Sequence, residues 1–141
     1  MLALTPQENL IRLAAFIDGE GMLSIIRYNR KWITYSPIIR IMNTKLELME
    51  WLVSTFGGSY YKQKIYKPNH KQGYVWTAPQ VYKLLNQIYP FLLLKRSQAA
   101  IILSFETICP KTPYKFGWTP EKLKLAESFK AQLKFANKRG V

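Results

Sequence analysis

The chain has 141 residues, the length of one ordinary domain, and a chain of that length buries about 70% of its unfolded surface, so two large domains are excluded. Lys and Arg total 21 against 8 Asp and Glu, a formal charge of +13, while 48% hydrophobic and 14% aromatic residues are too many for a disordered basic tail. One cysteine, Cys109, and one histidine, His70, exclude an internal disulfide framework and the usual Cys- or His-rich metal clusters. The longest apolar run, Ala99 to Phe105, falls far short of the roughly 20 residues a membrane helix needs, and no charged start followed by an apolar signal core opens the chain. An intracellular home is expected, in a prokaryotic cytoplasm or an organelle.

The elements follow in chain order. Thr5-Pro6-Gln7-Glu8 has the form of a capped helix start. Leu10, Leu13, Ala14 and Ile17 give that helix one apolar face, and Gly19 and Gly21 predict its end near Asp18. Met22–Arg30 and Thr34–Met42 read as a hairpin of two long strands around a polar turn. Thr44-Lys45-Leu46-Glu47 is a second capping box, opening a helix that Gly57-Gly58 stops. Strands over Ser59–Tyr66 and Gly73–Thr77 follow, with a turn near Pro68-Asn69.

A third box at Thr77, Pro79 and Gln80 starts a helix bearing Val81, Leu84, Leu85 and Ile88, which Pro90 ends. Phe91–Cys109 reads as another helix terminated by Pro110, Pro110–Gly117 as a loop, and Thr119-Pro120-Glu121 as the cap of a last helix with Lys134, Lys138 and Arg139 near its negative end. The order is α-β-β-α-β-β-α plus C-terminal helices. It predicts one α+β domain over residues 1–141, with a four-stranded antiparallel sheet covered by helices on one face.

Charge is unevenly spread. Gly21–Leu46 and Trp51–Phe105 contain no acid, yet carry Arg27, Arg30, Lys31, Arg40, Lys45, Lys62, Lys64, Lys67, Lys71, Lys83, Lys95 and Arg96. A one-signed field of this kind suits a polyanion, although a basic face kept for solubility has the same composition. The interleaved aromatics Tyr28, Trp32, Tyr60, Tyr61, Tyr66, Tyr74 and Trp76 favour nucleic acid. Trp51, Trp76 and Trp118 read as packing residues.

The most informative stretch is Leu13-Ala14-Ala15-Phe16-Ile17-Asp18-Gly19-Glu20-Gly21, a helix with small residues running straight into two glycine-flanked acids. From the residues alone it is either an ordinary acidic helix end or a close helix seam beside a site where backbone approaches a ligand. These nine residues resemble the signature of the LAGLIDADG homing endonucleases, departing chiefly at Ala15, where the family usually has glycine. The element order, the helix stop at Phe56-Gly57-Gly58 and the late segment Pro90-Phe91, Lys95 and Gln98-Ala99 extend the resemblance over most of Thr5–Phe105.

The resemblance implies a fold with a saddle-shaped antiparallel sheet and a site-specific nuclease that makes double-strand breaks with short 3′ overhangs. It implies Mg²⁺, with Mn²⁺ or Ca²⁺ able to substitute in binding, held by the Glu20 carboxylate and the Gly19 carbonyl, because Mg²⁺ takes hard oxygen ligands. Asp18 ranks below Glu20, as a residue that structures the helix junction. Lys95 takes the place of the family's active-site lysine, with a solvated helix-end lysine as the alternative. Asn43 is either a water-positioning side chain or an ordinary helix N-terminal residue, and Lys45 is a weaker candidate for the same basic pocket.

With one signature in the chain, the resemblance further implies a homodimer in which Leu13, Ala14, Phe16 and Ile17 pack against their counterparts over a long pseudo-palindromic duplex. On the sheet, Ser24, Ile26, Tyr28 and Arg30 from the first strand and Thr34, Ser36, Ile38 and Arg40 from the second would face DNA, with core packing as the alternative for Ile26 and Ile38. Lys62, Lys64, Gln72 and Val75 would complete that surface, and Lys67 and Lys71 would meet phosphates. Arg27, on the core side by alternation, is expected near the sheet edge. The implied partners are duplex DNA and a second copy, with no membrane and no small-molecule substrate. An intron RNA maturase or a non-cleaving DNA-binding protein is the alternative function.

Overall fold

A computed structural model describes residues 3–109 and 117–138. Helix α1 (Pro6–Glu20) runs straight into strand β1 (Gly21–Asn29), followed by β2 (Ile33–Asn43), α2 (Leu46–Phe56), β3 (Ser59–Lys62) and β4 (Tyr74–Thr77). Then come α3 (Val81–Ile88), a 3₁₀ turn at Tyr89–Phe91, α4 (Arg96–Phe105), a second 3₁₀ turn at Glu106–Ile108, and α5 (Pro120–Lys138). The four strands form one antiparallel sheet in the order β1-β2-β4-β3. None of the described helices is long and apolar enough to cross a membrane.

Leu23 and Ile25 of β1, Ile39 and Ile41 of β2 and Trp76 of β4 are nearly or fully buried on one sheet face. They pack with Leu13, Ala14 and Ile17 of α1, Leu85 and Ile88 of α3, and Ala99, Ile102 and Phe105 of α4. Ala126 and Leu133 of α5 close the same core. The helices therefore lie on one face of an α+β sheet, as expected. Arg27 does stand at an edge: β1 is an outer strand, and the Arg27 Nε donates to Asn29 Oδ1 at 2.9 Å.

The first capping box forms as the sequence predicts: Glu8 N donates to Thr5 Oγ1 at 3.1 Å and Thr5 N to Glu8 Oε1 at 2.9 Å. The other two boxes do not. α2 starts at Lys45 with no side-chain cap, the Asn43 Oδ1 accepting the Lys45 N–H at 2.8 Å just ahead of the helix, and α3 starts at Gln80 with φ 45° and no side-chain cap. At α5, Lys122 N donates to Thr119 Oγ1 at 3.3 Å.

Three spans are corrected. Helix α1 continues to Glu20, its ladder closing with Gly21 N–H on Ile17 O, a close approach that the missing side chain of Gly21 permits. Strand β3 ends at Lys62 instead of Tyr66, since β4 begins at Tyr74 and leaves the intervening residues no strand to pair with. The expected helix over Phe91–Cys109 is broken at both ends, leaving α4 as Arg96–Phe105, because the backbone N–H groups just before α4 are bound by a side chain from α1. The expected loop over 110–116, the stop at Pro110 and Arg139 lie outside the described residues.

Gly58, at φ +80°, sits in the turn between α2 and β3, and a Cβ there would lie 2.3 Å from Thr77 O. Next to it Gly57 O accepts the buried Trp76 Nε1–H at 2.9 Å. Gly58→Ala adds left-handed strain to a clash and lowers unfolding stability by about 2–4 kcal/mol, whereas Thr5→Ala, which removes one cap, costs about 1 kcal/mol. Urea unfolding of the two variants checks the order.

Candidate active site and nucleic-acid interface

The two acids at the end of α1 have separate surroundings. Asp18 is turned to the segment before α4, and its carboxylate accepts Leu93 N at 2.7 Å and Leu94 N and Lys95 N at 3.0 Å each. Three backbone donors on one carboxylate leave it little capacity for anything else. Glu20, exposed at the last position of α1, has one oxygen, Oε2, held by Asn43 Nδ2 at 2.7 Å. Asn43 is itself fixed, since its Oδ1 takes the Lys45 N–H. A short amide at the last position of β2 thus orients the terminal acid of α1.

Lys95 enters from the opposite side, donating its Nζ to Gly21 O at 2.7 Å. Partial burial pushes its pKa below the ordinary lysine value, while the Asp18 carboxylate acts in the other direction. Gly21 is needed for the close fit: a Cβ would stand 2.6 Å from Ile17 Cα. Glu20, Asn43, Lys95 and Gly19 are thereby gathered at one helix-to-strand junction, although they come from three stretches of the chain. Lys45 contributes a backbone N–H to this cluster through Asn43.

The donor set fits a hard divalent cation in part. Glu20 is an exposed carboxylate with a second oxygen, and glycine backbone surrounds it, which is the oxygen chemistry that Mg²⁺ or Ca²⁺ takes. Among the described residues no group of three His, Cys, Asp or Glu could enclose an ion.

The sheet face away from the helices carries the expected row. Ser24 stands opposite Ile38, Ile26 opposite Ser36, Tyr28 opposite Thr34 and Met22 opposite Arg40, and residues opposite one another share a face. Arg30 lies beyond β1, in the turn, and folds back with its guanidinium 4.9 Å from the Tyr28 ring centre. Arg40 Nε is buried without a hydrogen-bond partner, the one such side-chain atom among the described residues. Lys67 and Lys71 are exposed in the connection between β3 and β4.

Other expectations are corrected. Ile38 is 6% exposed and Val75 2%, so neither offers a readable surface. Lys62 stands opposite Tyr74, whose partner across the sheet is Asn43, which puts it on the helix side; Tyr61, opposite Val75, takes the open face instead. Lys64 is outside β3, with its Nζ 5.5 Å from the Tyr66 ring centre. Gln72 spends its amide on Gln63 O at 2.9 Å and Gly73 O at 2.8 Å, bracing the hairpin. Tyr61, expected only as one of the interleaved aromatics, is joined on the open face by Met42 and Gln63, which the sequence did not mark, and Gln63 Nε2 reaches Met42 Sδ at 3.4 Å. Strand alternation was the right signal, but a register error of one residue exchanges the faces.

The residues expected at a seam between copies are also corrected. Leu13, Ala14 and Ile17 are 0% exposed within the protomer's own core. Phe16 is half-buried, with its ring 6.1 Å from that of Trp51, which also packs on Phe56 and lies under Arg12. The open side of α1 is instead Ile11, Ala15 and Gly19, spaced four apart, with nothing within 4 Å of where a Gly19 Cβ would be.

No protein-family model and no curated protein sequence matches the chain. Solved structures do. The homing endonuclease I-CvuI, crystallised with its DNA target and Ca, superposes with a TM-score of 0.73 at 18% identity, over 93% of this chain and 83% of that one. The homing endonuclease I-TnaI matches with a TM-score of 0.62 at 18% identity, over 98% of this chain and 99% of that one. The meganuclease I-SmaMI, bound to uncleavable DNA, matches with a TM-score of 0.61 at 20% identity, over 86% of this chain but 43% of its own.

Asp18 and Glu20 differ in a measurable way. Asp18→Ala strands three backbone donors and lowers unfolding stability by about 2–3 kcal/mol, whereas Glu20→Gln, at an exposed position, changes it by less than about 0.5 kcal/mol. Thermal unfolding of both variants tests the division.

Proposed function

We propose that this chain, which has the fold of the homing endonucleases, is a member of the LAGLIDADG family that cuts duplex DNA at a specific site as a homodimer. The observation that carries the proposal is the Glu20 carboxylate, oriented by Asn43 beside Lys95, where α1 passes into a sheet whose open face carries Ser24, Tyr28, Thr34, Ser36 and Arg40. Cutting a phosphodiester requires an activated water, stabilisation of charge on the phosphorus and help for the leaving oxygen. A divalent cation, Mg²⁺ above all, supplies the activated water and neutralises the developing charge when bound.

Glu20, with the Gly19 carbonyl, would hold that cation. Asn43 fixes the direction of the carboxylate and leaves its other oxygen for binding. Lys95, partly desolvated, places positive charge next to the reacting phosphate, where low dielectric strengthens the interaction. Asp18 holds the loop that delivers Lys95 and is not itself a ligand.

Single glutamates cannot cut both strands, so two copies meet through the open side of α1. Ile11 is 46% exposed there, Leu93 and Leu94 are 81% and 47% exposed beside the Asp18 anchor, and Ala15 and Gly19 let two helices approach closely. Chain lengths agree with this reading: the match spans nearly all of I-TnaI and less than half of I-SmaMI. Ser24, Ile26, Tyr28, Thr34, Ser36 and Arg40 face the major groove, with Arg30 and Tyr61 at its borders. The two-fold axis makes the target pseudo-palindromic.

Two variants test the proposal. Glu20→Gln keeps duplex affinity within about threefold and loses cleavage by at least about a hundredfold, because it removes an interaction made at the reacting phosphate. Gly19→Leu leaves the protomer folded but fills the seam, and sedimentation finds a monomer that does not cut. Cleavage by Glu20→Gln at the wild-type rate, or cutting by a monomer, contradicts the reading.

A further inference from the structure

Helix α5 has no part in the site described above, yet it lies against the sheet next to it. Asn137 Nδ2 donates to Leu23 O at 3.1 Å, tying the end of α5 to the edge strand β1. Farther along, the Tyr35 hydroxyl donates to Glu127, and Ala126 and Leu133 are buried in the core. The helix is thus held at its middle against β2 and at its C-terminal end against β1.

What it presents there is charge. Ser24, Lys130, Leu133, Lys134, Asn137 and Lys138 line one open recess of about 320 Å³. Ser24 belongs to the open-face row of β1, and Lys130, Lys134 and Lys138 recur every four residues, so they form one stripe along α5. At 1.5 Å per residue the stripe spans about 12 Å. The acid nearest to it on α5, Glu127, is occupied by Tyr35, and no acid lines the recess.

Attraction to the negative end of the helix explains only Lys138, the basic residue of the last turn, because that field fades within one turn. Lys122, by contrast, spends its ammonium on Ile108 O at 2.9 Å. Among the described residues the stripe is a set of cations with no hydrogen-bond or ion-pair partner, beside the Ser24 edge of the sheet.

We propose that Lys130, Lys134 and Lys138 are a sequence-independent docking surface for the phosphate backbone of duplex DNA, gripping the strand that passes the Ser24 edge of the sheet. A duplex strand carries one charge per 3.4 Å of axis, so a stripe of about 12 Å meets three or four phosphates. This rests on the duplex-binding reading of the sheet. It adds affinity and register, while the sheet carries sequence information.

The test is binding of a mixed-sequence duplex in EDTA, so that nothing is cut, across a salt series. Lys134→Gln/Lys138→Gln is compared with Lys83→Gln/Lys124→Gln, which removes the same charge from exposed positions outside the recess. The stripe variant loses roughly tenfold to a hundredfold in affinity at 0.1 M salt, and its slope of log affinity against log salt becomes shallower by about 1.8, or 0.9 per lost phosphate contact. The control keeps the wild-type slope. Equal losses in the two variants, or none in either, overturn the docking surface while leaving duplex binding in place. A wild-type protein that binds no duplex overturns both readings.

Discussion

One carboxylate sets the geometry of this molecule. Asp18, at the end of α1, accepts three backbone N–H groups from residues 75 to 77 positions later in the chain. Those bonds keep the segment before α4 from joining the helix, fix where α4 starts, and bring the Lys95 ammonium onto Gly21 O. The direct passage from α1 into β1, possible only because Gly21 has no side chain to strike Ile17, then carries Glu20 to Asn43. A charged acceptor with three donors is among the stronger local arrangements a fold can make, and here its effect is positional: it places the neighbouring acid and the lysine without competing with them.

The same economy appears in α1 as a whole. One face, with Leu13, Ala14 and Ile17, is completely buried in the protomer, while Ile11, Ala15 and Gly19 remain open. An exposed isoleucine beside small residues is a poor surface in water and a good one against another helix. The sheet is divided likewise, with Leu23, Ile25, Ile39 and Ile41 toward the helices and Ser24, Ile26, Ser36 and Arg40 toward the open side. On the proposed reading these two open surfaces meet at Glu20, so pairing of copies and reading of DNA converge on the reacting phosphates.

Much of this was legible in the sequence because it is local. The Thr5–Glu8 box, the long hairpin and the glycine stop after α2 are written in adjacent residues, and the signature Leu13–Gly21 marked the junction. What was not legible depends on partners distant in the chain. Nothing near Leu93 says that its N–H will be taken by Asp18, so the helix expected from Phe91 was too long. The second and third boxes do not form because α2 starts one residue later, at Lys45, while Asn43 holds the Lys45 N–H, and Gln80 takes a left-handed conformation at the start of α3.

Faces were harder still. For β3, only the pairing Tyr61 with Val75 reveals which parity is open; Lys62 falls on the other, and Lys64 lies beyond the strand. In α1 the apolar stripe Leu13–Ala14–Ile17 is core, and the open side is the weaker Ile11–Ala15–Gly19 pattern. Burial inside a chain and burial between chains demand the same residue types, so composition cannot separate them.

The central claim is that the Glu20 junction and the open sheet face form a site-specific, metal-dependent duplex nuclease. The most direct measurement is to expose a randomised-site duplex library to the wild-type protein, with Mg²⁺ and with EDTA, and sequence every end produced. The account predicts ends at one pseudo-palindromic site, short 3′ overhangs, and none in EDTA. Library members that are bound yet yield no metal-dependent ends would contradict it.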